Sequence, residues 1–139
     1  MFDPLSAAMS IASSGLKAQS QRLRVVSENV ANANSTAQVP GGDPYRRKTI
    51  TFDAELDRAL GASKVQVKSI GVDKSDFKLI HDPSHPAAAE DGYVKLPNVS
   101  ALVEMADMRE ATRSYEANLN IIDQARKMVM RTTDLMRRG

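Results

Sequence analysis

The chain has 139 residues, 42% hydrophobic and 26% charged, with a formal net charge of +2, the balance of an ordinary soluble chain with no electrostatic reason to seek a polyanion. It has no cysteine, which excludes disulfides and thiol chemistry. Aromatic residues make up 4% and Trp is absent, so small side chains and Met, not a rich aromatic core, must fill whatever is packed.

No apolar run approaches the roughly 20 residues of a membrane span. The N-terminus lacks the basic and apolar regions of a cleaved secretory signal, so any export is expected to use a route that removes nothing.

Residues 1–33 read as an N-terminal helix. Asp3-Pro4 supplies a capping side chain followed by a proline preset for the first turn. Leu5, Met9, Ala12, Leu16, Gln19, Leu23, Val26 and Val30 then fall on one stripe at alternating spacings of four and three. Before Arg22 the only charges are Asp3 and Lys17, and Ser and Ala occupy the other faces. A water-facing helix carries more charge than this, so the pattern predicts contact on several sides with close backbone approach. Three Asn within Asn29-Val30-Ala31-Asn32-Ala33-Asn34 mark the helix exit. Residues 34–44, with Pro40-Gly41-Gly42-Asp43-Pro44, form a loop.

Residues 45–97 read as a small β-rich outer element. Tyr45 to Phe52 is β-prone, Val65 to Ile70 alternates as a half-buried strand does, and Phe77 to Ile80 and Tyr93 to Leu96 are shorter candidates. Ala54 to Leu60 reads as a short helical turn stopped by Gly61. Two to four short strands are marginal unless they lean on the helices.

Residues 98–139 form the long C-terminal helix, free of Gly and Pro from Asn98 to Arg138 and roughly 55–60 Å long. Met108, Thr112, Tyr115, Leu119, Ile122, Arg126, Val129, Thr133 and Met136 repeat the four-three spacing and predict its inward seam. Glu104, Asp107, Glu110, Glu116, Asp123, Lys127 and Arg131 lie on the other faces, acids early and bases late as the helix dipole favours. One apolar seam on so long a helix requires a partner along most of its length. The expected fold is therefore mainly α (α+β), two long terminal helices paired in a coiled-coil-like arrangement around a small β-rich insertion.

No catalytic, cofactor or metal site is expected. His81 and His85 have the spacing of a helical ligand pair, but Pro83 and Pro86 deny them the helix. Arg46-Arg47-Lys48 beside Tyr45 reads as a solvated strand face, since no basic stripe extends it toward nucleic acid. The Met cluster suits adaptable packing. Tyr115 serves either as an interface anchor or as a core residue. A helical regulator would need an aligned basic stripe, and a metal enzyme a helix-borne ligand pair.

Three stretches together resemble a known family. Ser14-Gly15-Leu16-Lys17-Ala18 with Asn29 to Asn34 resembles the N-terminal signature of bacterial flagellar rod and hook proteins. Asn98-Val99, Glu104 to Ala111 and Arg113 to Asn118 resemble their C-terminal signature, and Asp82 to Pro86 with Asp91 to Val94 resembles the proximal rod members. The resemblance implies a structural subunit whose terminal helices stack into a hollow shaft, exported uncleaved by the flagellar type III system to the periplasmic rod of the basal body. Implied partners are further copies, other proximal and distal rod subunits and the rod–membrane-ring adaptor, with no nucleic acid. The expected assembly interface is Leu5, Met9, Ala12, Leu16, Leu23, Val26 and Val30 with Met108, Tyr115, Leu119, Ile122, Val129 and Met136.

Overall fold

A computed structural model describes residues 3–57 and 62–138. Helix α1 (Pro4–Ala31) is followed by strands β1 (Lys48–Asp57), β2 (Ala62–Val72), β3 (Lys78–His81) and β4 (Tyr93–Leu96), and by helix α2 (Ala101–Arg138). The expected class holds: two long helices enclose a small β-rich insertion. Asp3 caps α1, its Oδ1 accepting from the Leu5 N–H at 3.1 Å. At the exit, Asn32 Nδ2 donates to the Glu28 carbonyl at 2.8 Å and satisfies a last-turn acceptor.

The helical turn expected over Ala54 to Leu60 is corrected. Ala54 to Asp57 belongs to β1, and residues 58–60 lie outside the described region. Phe52, Ala54 and Leu56 alternate, and pairing with β2 supplies hydrogen bonds that a single helical turn cannot match. The connection over 58–61 is too short for a parallel crossover, so β1 and β2 run antiparallel.

The chain divides into two compact units. The first comprises residues 1–23, 51–69 and 109–139. Its two helical segments run antiparallel: Gly15 lies against Asn118, and farther along α1 Arg22 Nη2 meets Glu110 Oε2 at 3.4 Å, earlier on α2. A Cβ on Gly15 would stand 2.6 Å from Asn118 Nδ2, so the Asn118 amide occupies the space that a side chain at residue 15 would take. Among the described residues, Ala7, Ala12, Ala18, Ala111 and Ala125 are the buried hydrophobic side chains of this unit. The hairpin leans on α1, where Ser14 Oγ accepts from the Val65 N–H at 3.3 Å.

The seam expected on α2 is displaced. Thr112, Leu119 and Arg126 are exposed; Ala111, Asn118 and Ala125, one residue earlier, turn inward, while Tyr115 and Ile122 stay half-buried. Large side chains at those three places would hold the helices apart, so the small neighbours take them. From Arg126 to Arg138 every residue is exposed.

The second unit comprises residues 24–50 and 70–108. Its core is Val25, Val26, Ala87, Val94, Pro97 and Val99, with Asn29 and Glu104 buried among them. Strands β3 and β4 pair antiparallel in the register Lys78↔Leu96 to His81↔Tyr93. Gly92 precedes β4 with φ 83°, and a Cβ there would lie 3.0 Å from both Pro83 Cγ and His81 Cε1.

Candidate assembly site

The thirteen positions expected at an assembly interface divide by burial. Ala12 and Val26 are fully buried within the chain, so they shape the subunit and offer a neighbour no surface. Leu5, Met9, Leu16, Leu23, Val30, Met108, Tyr115 and Ile122 are half-buried. Leu119, Val129 and Met136 are open, at 44%, 45% and 78% exposure. Ile121, Met128, Met130 and Leu135, which the spacing argument passed over, are also exposed. In the second unit Leu102, Val103 and Met105 stand exposed on the first turns of α2. The four-three count failed to find these because they lie off the stripe; large apolar side chains on the outer faces of α2 were the available signal.

The solvated face expected for Arg46-Arg47-Lys48 is also corrected, because all three side chains are half-buried and engaged. Arg47 Nε donates to Glu104 Oε1, and Arg47 Nη1 lies 3.6 Å from Asp73 Oδ2. Lys48 Nζ donates to Glu28 Oε2 at 2.6 Å. Arg46 donates to the Asp73 and Ser75 carbonyls at 3.0 and 2.9 Å, with its guanidinium 4.2 Å from the centre of the Phe77 ring. Asn29 is the hub. Its Nδ2 donates to the Lys48 carbonyl at 2.9 Å and to Glu104 Oε2 at 3.3 Å. Its Oδ1 accepts from the Lys48 N–H at 2.9 Å and from the Tyr45 hydroxyl at 2.6 Å. Asn98 completes the junction, accepting from the Arg47 N–H at 2.8 Å and donating to the Asp73 carbonyl at 3.0 Å.

The charges respond accordingly. The Glu104 hydrogen bond raises Arg47 above the ordinary guanidinium value, and Glu28 does the same for Lys48. The Lys48 hydrogen bond holds Glu28 below the usual carboxylate range, and the Ser75 N–H lowers Asp73. Burial pushes the Tyr45 phenol up. Asn29, Asn98 and Glu104 all lie in the stretches that resembled the terminal signatures, so the two signatures meet here.

The two histidines have local roles. His81 sets its ring edge-on to Tyr93, with centroids 4.9 Å apart. His85 Nδ1 accepts from the Ala87 N–H at 3.0 Å and closes the turn before β4. No group of three or more potential metal ligands forms among the described residues. No described helix is long and apolar enough to cross a membrane.

Residues 9–37 match the family "Flagella basal body rod protein", and residues 90–135 match "Flagellar basal body rod FlgEFG protein C-terminal". The flagellar basal-body rod protein FlgC of Agrobacterium fabrum is 60% identical over 136 residues, 98% of each chain. The chain belongs to the FlgC family of flagellar basal-body rod proteins. Divergent FlgC relatives agree: that of Borreliella burgdorferi is 41% identical over 89% of this chain and 92% of its own. The Salmonella typhimurium protein is 38% identical over 90% of this chain and 92% of its own. The FlgC family is a structural one, and its place is the flagellar basal body. Both matched regions reach into the polar junction, through Asn29 on one side and Asn98 and Glu104 on the other.

Proposed function

We propose that this chain is a structural subunit of the proximal rod, polymerising through α1 and α2 into the wall of a hollow shaft that transmits torque and lines the export channel. The observation that carries this reading, within a rod family, is the outer end of α2. Residues 126–138 are exposed throughout and present Met128, Val129, Met130, Leu135 and Met136. A helix end of this length with large apolar side chains and no cover of its own needs neighbours to be stable. Those neighbours are other rod subunits: further copies, the remaining proximal rod proteins, the distal rod and the membrane-ring adaptor. Residues 1–33 and 98–139 form the axial core and 45–97 the outer element, and the subunit reaches the periplasmic rod uncleaved through the type III gate. The role is mechanical, not catalytic.

Deletions test this division in flagellated cells. Removing Ala8 to Leu16 abolishes rod incorporation while a secretion assay still detects export; removing Ser63 to Ser69 leaves partial incorporation. A secreted Ala8–Leu16 deletion that builds a complete rod would overturn the reading.

A further inference from the structure

Among the described residues, the five largest fully buried side chains, Glu104, Val26, Val94, Asn29 and Pro97, all belong to the second unit. The first unit buries Ala and Gly. Both long helices have one end in the well-packed unit: residues 24–31 of α1 and 101–108 of α2.

We propose that Asn29, Arg47 and Glu104 form a clamp that keeps these two helix ends folded in the free subunit, so that α1 and α2 grow outward from preformed turns when the subunit docks. The docking step rests on the rod reading; the clamp itself does not.

Each helix end is tied from more than one side. Val25, Val26 and Asn29 are buried on the α1 segment. The Asn29 amide grips both the N–H and the carbonyl of Lys48 at 2.9 Å, which fixes the last turns of α1 against the start of β1. On α2, the Glu104 N–H closes the first turn onto the Ser100 carbonyl at 3.0 Å, and Lys78 Nζ donates to the Val99 carbonyl at 3.1 Å. Glu104 then joins the two ends, with one carboxylate oxygen on Arg47 and the other 3.3 Å from Asn29 Nδ2. No buried side-chain nitrogen or oxygen among the described residues lacks a partner. A fully satisfied buried network specifies one geometry, and removing a member leaves the others stranded.

The consequence for assembly is kinetic and energetic. Starting a helix from coil is disfavoured about a thousandfold relative to extending one. With both helices already started, their outer parts need only propagate as a neighbour covers the exposed faces.

Amide hydrogen exchange on the purified full-length chain, shown to be monomeric by light scattering, tests the clamp. Amides of residues 25–31 and 103–108 exchange at least tenfold more slowly than those of residues 8–15 and 126–137. Glu104→Gln, close in shape to the native residue, lowers protection at the α1 end as well as its own; Asn29→Ala lowers it at the α2 end as well as its own. Uniform protection along both helices overturns the proposal, as does its absence at residues 25–31 and 103–108. So does a Glu104→Gln protein that retains protection in β3 and β4 and loses it in α2 alone. If Asn29→Ala unfolds the chain, Glu104→Gln and the native pattern decide. The readings are made in solution, so a failure to incorporate into rods counts against the rod reading and leaves this one standing.

Discussion

Replacing Arg47 by Met removes the guanidinium and keeps most of the aliphatic stem. Glu104 is 1% exposed, and its remaining side-chain partner is Asn29 Nδ2 at 3.3 Å. Stranding one member of such a pair costs about 3–5 kcal/mol. That is a large part of the roughly 5–15 kcal/mol that holds a domain folded. Urea melts of the full-length protein, followed by far-ultraviolet circular dichroism, should show a loss of this size at pH 7. Adding Glu104→Leu should recover most of the stability, since an apolar pair of similar volume can replace a buried ion pair. A loss below about 1 kcal/mol for Arg47→Met, or no recovery in the double variant, would refute the reasoning.

Other perturbations separate the surfaces from the interior. Ile122→Asp places a charge at a half-buried seam position, and Leu119→Asp places one on an open face. Both should abolish swarming without loss of protein, and normal swarming by either removes that residue from the interface. Gly92→Ala forces a side chain into a backbone with φ 83° and into contact with Pro83 and His81. It should cost about 1–3 kcal/mol by urea melt, and an unchanged midpoint would show that the turn relaxes freely. Because Glu28 and Asp73 titrate below their unfolded values, their contribution is complete above the ordinary carboxylate range and is lost as pH falls through the lowered values. Lys48→Met, which removes the main cause for Glu28, should flatten acid destabilisation below about pH 4.5; an unaltered acid profile would contradict that assignment.

Both helices, β2 and β4 were legible because their spacing, caps and breakers agree. Ala54 to Asp57 misled because Ala, Glu and Leu favour a helix locally, whereas cross-strand pairing decides the outcome. The seam was displaced for a related reason. Counting large apolar residues selected Leu119, but Gly15 leaves its space to the Asn118 amide, and Ala111 and Ala125 are the buried residues on that side of α2. The polar junction was the least visible feature. Arg47 and Glu104 are 57 positions apart, and a glutamate on a charged helix reads as solvent-facing until a partner strand is seen beside it. The asparagines of the helix exit pointed to a turn, while Asn29 also organises the junction.

A map of the intact basal body, resolved well enough to show side-chain density along helices, tests the central claim most directly. It should place both terminal helices of every copy in the wall of the proximal rod, with the outer end of α2 covered by neighbouring subunits and β1 and β2 away from the lumen. A proximal rod wall built without this chain, or one in which residues 126–138 face solvent, would contradict the account.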